Sequence, residues 1–137
     1  MAGLATPGML YSAIVTILAV LLFFYMGLNV GRMRAKHGVK APAMTGHAEF
    51  ERAVRVQMNT IEGAIAFLPS LWVAAIYFGG WIPPLAGFVW VMGRVIYMIG
   101  YMAAPEKRET GFTIQAIALV VLILLAVWGI VRTFMMV

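Results

Sequence analysis

Cysteine is absent from the sequence, histidine occurs twice, and only five residues are acidic. Without cysteine there is no disulfide, no thiolate nucleophile belonging to the chain and no thiolate-ligated metal. The two histidines stand ten residues apart in a polar segment, a weak case for a metal, and no metal site is expected. Charge is scarce: it accounts for 11% of the 137 residues, where soluble domains carry about 25%. A water-soluble domain of this length has too much surface for so few charges to cover. Apolar residues are abundant instead, at 64%, which excludes a disordered chain. The balance points to an integral membrane protein. The net charge of +5 would suit nucleic acid, but basic loop residues in a membrane protein record orientation, so no nucleic-acid partner is expected.

Four apolar stretches divide the chain. Crossing roughly 30 Å of hydrocarbon takes about 20 helical residues. The expected fold is all-α, a single four-helix transmembrane domain over residues 1–137. Its helices fall at about 8–31, 50–78, 82–104 and 111–135. The first and fourth runs carry no charge, the third carries only Arg94, and the second carries its charges at its start. The first run has no basic segment before it and is long for a signal peptide, so it is read as a retained helix. Pro69 should kink the second helix. The first linker, about 32–49, contains Gly38, Pro42 and Gly46, which break helices.

Eight of the ten basic residues fall in or beside the first and third loops. The positive-inside rule puts those loops in the cytoplasm and both termini outside. A bacterial inner membrane is favoured over the endoplasmic reticulum.

Polar groups inside membrane helices are costly and mark function. Arg55, Asn59 and Glu62 follow at i, i+4 and i+7, one stripe of the second helix, with Arg52 close to it. A cation, an amide and a carboxylate together suit a zwitterionic ligand with several carboxylates and an amine. Gln57 points elsewhere on an ideal helix. Arg94, Tyr97 and Tyr101 share one face of the third helix, and Arg108 sits in the turn before the fourth. Each group also has a plainer reading: an intrahelical ion pair, an aromatic belt with a snorkelling arginine, a solvated turn.

The segment Phe50–Glu62, FERAVRVQMNTIE, resembles the signature of the MAPEG family, the membrane-associated proteins in eicosanoid and glutathione metabolism. Arg94–Tyr101, RVIYMIGY, resembles the family's third helix, and Arg108 follows at the spacing of its glutathione-using members. Arg34, before Gly38 and Val39, matches the arginine that closes helix one. The resemblance implies a homotrimer that binds glutathione between subunits near the cytoplasmic boundary. It implies that Arg55, Asn59 and Glu62 hold the tripeptide, with Gln57 included on resemblance alone. Arg34, Tyr97 and Tyr101 would complete the shell, Arg94 would support it, and Arg108 would face the thiol as the catalytic residue.

Two departures argue against a dedicated leukotriene synthase. Ala35 stands where that branch has a second arginine, and Gly63 stands where it has a tyrosine. The expected activity is therefore a general glutathione S-transferase for detoxification. It would conjugate glutathione, as co-substrate, to hydrophobic electrophiles from the membrane lipid, and could act as a peroxidase on lipid hydroperoxides. The alternative within the fold is a non-catalytic lipid-binding trimer. A small four-helix drug transporter ranks last, because helix one contains no acid.

Overall fold

A computed structural model of the protein describes residues 5–137. Four long helices run through it: α1 over Pro7–Lys36, α2 over Ala48–Tyr77, α3 over Ile82–Ala103 and α4 over Glu109–Phe134. A 3-10 turn at Pro105–Arg108 leads into α4. No strand occurs among the described residues. All four helices are long and apolar enough to cross a membrane.

Local chemistry sets the helix ends. The Thr6 hydroxyl accepts the Met9 N–H at 3.3 Å, and Pro7 opens α1, where its missing N–H costs nothing. The apolar run of α1 stops near Val30, but the helix continues through Arg32 and Arg34 to Lys36. Arginine and lysine are good helix formers, and cations suit a helix C-terminus. The stop comes at Gly38, whose φ of +64° lets the Val39 N–H reach back to the Arg34 carbonyl at 3.0 Å. At α2, the His47 ring nitrogen Nδ1 accepts the Glu49 N–H at 3.2 Å, and Glu49 and Glu51 occupy the first turn. The helix continues unbroken through Pro69.

α2 and α3 form the middle of the bundle, each packing on both α1 and α4. In the core, Phe67 stacks on Trp90 with ring centroids 3.9 Å apart, and both side chains are fully buried. α3 and α4 approach most closely at two glycines. A Cβ on Gly93 would sit 2.8 Å from the Gln115 backbone nitrogen, and one on Gly111 would collide with the Tyr97 backbone. Small residues permit such contact between membrane helices. This contact brings the turn that carries Arg108 over the end of α3.

The outer surface is apolar. Ile14, Ile17, Leu21, Phe24 and Leu28 on α1 are exposed, as are Ile117, Val120, Leu124 and Val127 on α4. Such continuous faces would be an aggregation liability in water; against lipid tails they are solvated. The interior in turn contains the small or polar Ser12, Thr60 and Gln115.

Gly111→Ala is expected to force α3 and α4 apart and to lower stability by about 1–3 kcal/mol, the usual cost of overpacking. Thermal unfolding in detergent should show a lower midpoint. An unchanged midpoint would contradict the close approach.

Candidate functional site

The basic end of the bundle gathers the C-termini of α1 and α3 and the N-termini of α2 and α4. A groove of about 500 Å³ opens there, lined by Asn59 of α2, Tyr97 of α3, Arg108 of the 3-10 turn, and Glu109, Phe112 and Thr113 of α4. Asn59 Nδ2 donates to the Tyr97 hydroxyl at 2.8 Å. No acceptor among the described residues takes the proton of that hydroxyl, so the phenol can still donate to a ligand. Tyr101 lies against Tyr97 with centroids 5.6 Å apart, and the Arg108 guanidinium stands 5.5 Å from the Tyr101 ring centre. The Arg108 side chain is exposed and thus accessible from the groove.

Arg94 lies beneath this surface, buried at 2% exposure. Its Nε and Nη2 donate to the Thr60 hydroxyl at 3.1 and 2.6 Å, and its guanidinium carbon sits 4.0 Å from the Tyr97 ring centre. Thr60 donates its own proton to the Val56 carbonyl at 2.7 Å. One hydroxyl thus spends its proton on the backbone and its lone pairs on a cation. The ring face supplies further negative potential. Arg94 therefore supports Tyr97 from behind and does not line the groove.

The remaining candidates lie elsewhere in the chain. Arg34 is held by its own loop: its guanidinium donates to the Ala43 carbonyl at 2.7 Å and stacks 4.7 Å from the Phe50 ring centre. The bend at Gly38 folds that loop back over the end of α1. Arg55 is exposed and lines a smaller hollow of about 280 Å³ with Met44, Thr45 and Glu51. Glu62 is exposed on the outward side of α2. Gln57 faces α1, where its Nε2 would lie 3.1 Å from a Cβ placed on Gly27. A single chain thus brings Asn59, Tyr97, Tyr101 and Arg108 together, with Arg94 behind them, and leaves Arg34, Arg55, Gln57 and Glu62 apart.

Some participants escaped the sequence reading. Thr60 is adjacent to Asn59 and gave no separate signal. Arg52, which the sequence set close to the α2 stripe without a partner, donates through Nε to the Met102 carbonyl at 3.2 Å and ties α2 to the end of α3. Asn29, a buried amide in α1, points Nδ2 at the Met102 sulfur at 3.9 Å. Its signal was visible: an amide inside an otherwise apolar membrane run.

The sequence profile of the MAPEG family matches residues 12–128. The chain belongs to the MAPEG family. It is 45% identical over 115 residues to an uncharacterized protein of Synechocystis sp., covering 84% of this chain and 84% of that protein. It is 40% identical over 123 residues to microsomal glutathione S-transferase 2 of Homo sapiens, covering 90% of this chain and 84% of the relative. It is also 40% identical over 123 residues to leukotriene C4 synthase of Cavia porcellus, covering 90% and 82%. The family and the four apolar helices make this an integral, multi-pass membrane protein.

Thr60→Val keeps the shape of the side chain and removes the acceptor of Arg94. Losing a hydrogen bond to a charged group costs about 1.5–3 kcal/mol, and a buried cation left without it should resist that loss poorly. Detergent-solubilised Thr60→Val should unfold at a clearly lower temperature than the parent. A midpoint equal to that of the parent would mean that the Tyr97 ring alone holds Arg94.

Proposed function

We propose that the protein is a membrane-bound glutathione S-transferase that joins glutathione to apolar electrophiles dissolved in the bilayer. The observation that carries this reading is the groove where an amide-bonded phenol, Tyr97, and an exposed guanidinium, Arg108, face the same space at the basic end of the bundle. Kinship to a microsomal glutathione S-transferase supports it.

Glutathione has two carboxylates, an amine and a thiol. Arg55, Asn59 and Glu62 suit its charged ends and amides, with Arg34, Gln57, Tyr97 and Tyr101 completing the shell. One chain brings Asn59, Tyr97 and Tyr101 together but leaves Arg34, Arg55, Gln57 and Glu62 apart, so in this reading the site is completed by neighbouring copies in a homotrimer. Arg55 and Glu62 then face a partner and not lipid, which removes the cost of a bare charge at the membrane boundary. Loops one and three lie in the cytoplasm by their basic residues, in a bacterial inner membrane, and anionic glutathione arrives from that side.

A free thiol titrates near pH 8.5, so only a few per cent is thiolate at pH 7. Lowering its pKa by about two units takes about 2.7 kcal/mol. One charge-assisted hydrogen bond contributes about 1.5–3 kcal/mol. Arg108 alone can therefore supply the activation. The thiolate sulfur attacks an electrophilic carbon, a carbon–sulfur bond forms, and the leaving group departs with the electron pair. With a lipid hydroperoxide, the sulfur attacks oxygen and the O–O bond breaks. An alcohol and a sulfenic acid result, which a second glutathione converts to disulfide and water. Holding both reactants at the boundary removes part of the entropic barrier.

Arg108→Ala should keep much of the glutathione binding and lose most of the thiolate absorbance in the ultraviolet difference spectrum at neutral pH. The thiolate equilibrium should fall roughly 30–150-fold, the equivalent of about 2–3 kcal/mol. Activity should partly return as pH rises toward the free-thiol pKa. A parent-like thiolate band in Arg108→Ala would make Arg108 a loop charge and move the search for the activator to Arg34 or Tyr97.

A further inference from the structure

The two histidines that the sequence separates by ten residues meet in the fold. His37 ends α1 and His47 begins α2. Their rings stack with centroids 3.5 Å apart and planes within 10° of each other. Glu49 joins them, its Oε2 lying 2.7 Å from His37 Nε2. One ligand atom from each of the three residues lies within 4.8 Å of the others. We propose that His37, His47 and Glu49 form a binding site for a divalent transition metal of the zinc type, which clamps the two ends of the first loop.

The donor set fits such an ion. Zinc takes imidazole nitrogen and carboxylate oxygen at about 2.0–2.2 Å in tetrahedral geometry. Ligand atoms around it therefore stand roughly 3.3 Å apart. The present spacing of up to 4.8 Å must close by as much as about 1.5 Å, and His47 and the loop before it are exposed, which leaves them room to rearrange. The parallel rings must tilt so that their lone pairs converge. His47 also exchanges one bond for another. Its Nδ1 now accepts the Glu49 N–H. Coordination through Nδ1 uses that lone pair, and coordination through Nε2 moves the ring proton onto Nδ1. Three protein ligands leave the fourth position to water.

Two neighbours shape the site. The Glu51 carboxylate accepts the Gly46 N–H at 3.1 Å and fixes the chain just before His47. The Lys36 ammonium holds both oxygens of Glu49, at 3.1 and 2.9 Å, and competes with a metal for them. Its side chain is 56% exposed and can swing into water. The loop closed by the clamp, 38–46, contains the carbonyl of Ala43 that holds Arg34. A bound metal would therefore steady Arg34 as well. The site shares no residue with the groove at Asn59, Tyr97 and Arg108, and it does not depend on the reading of that groove.

The test is a calorimetric titration of the full chain, purified in detergent without a histidine tag, with Zn²⁺ alone. Co²⁺ alone, followed by its visible absorption, reports the geometry. The expected result is one saturable Zn²⁺ per chain and a tetrahedral Co²⁺ spectrum. Binding should weaken roughly tenfold or more in His37→Gln and in His47→Ser. Serine still caps a helix, so His47→Ser removes the ligand and spares the start of α2. Lys36→Gln should tighten binding by removing the competitor for Glu49. Absence of saturable Zn²⁺ binding, or binding that survives both histidine substitutions, overturns the site. Weaker binding in Lys36→Gln would overturn the role of Glu49.

Discussion

Hydrocarbon offers a cation no partner, so an arginine at or below the membrane boundary must find one in the protein or reach for water. Arg94 lies deepest and finds two, the Thr60 hydroxyl and the face of Tyr97. That pairing does more than neutralise a charge. It presses on Tyr97 from behind while Asn59 holds the phenol oxygen from the side, so one aromatic ring is held from two directions. Arg52 meets the Met102 carbonyl, and Arg34 meets the carbonyls of its own loop. Arg55 and Glu62 are different. Among the described residues neither forms an ion pair, and both face outward. The same constraint that drew Arg94 inward thus leaves a charged stripe at the surface, open to water or to another molecule.

The helices were legible in the sequence because the membrane imposes a coarse rule: apolar residues must run for a fixed length. The end of α1 was not, since hydropathy falls at Arg32 while helix propensity does not, and the true stop depends on the left-handed Gly38. Periodicity placed Asn59 on one stripe of α2 and Tyr97 on one face of α3, and in the fold the two meet. It also set Gln57 off the stripe, in keeping with its position against α1. Periodicity could not tell which side of a stripe would be covered. Asn59 lies at the edge of α2 that meets α3, whereas Arg55 and Glu62, close to it on the wheel, lie past that edge. Thr60 was hidden for another reason: a threonine inside a helix normally bonds its own backbone, and this one does so while also accepting Arg94. The stacking of His37 on His47 depends on how the first loop folds back, which no local pattern encodes.

The arrangement at the basic end suits a reaction between unlike partners. The groove joins a phenol and a guanidinium to Phe112, an apolar ring on the lipid side of α4. A water-borne anion can approach the first two while a bilayer-borne compound approaches the third. A Cβ placed on Gly63 would meet the Trp90 ring at 3.5 Å, an ordinary contact.

The central claim is that the outward stripe of α2 is completed by a second copy of the chain, and that glutathione binds only where it is. Native mass measurement of the protein in mild detergent, with glutathione added, tests this directly. The account predicts assemblies of three times the chain mass that retain glutathione, and monomers that retain none. Glutathione held by monomers at the affinity of the assembly would contradict it.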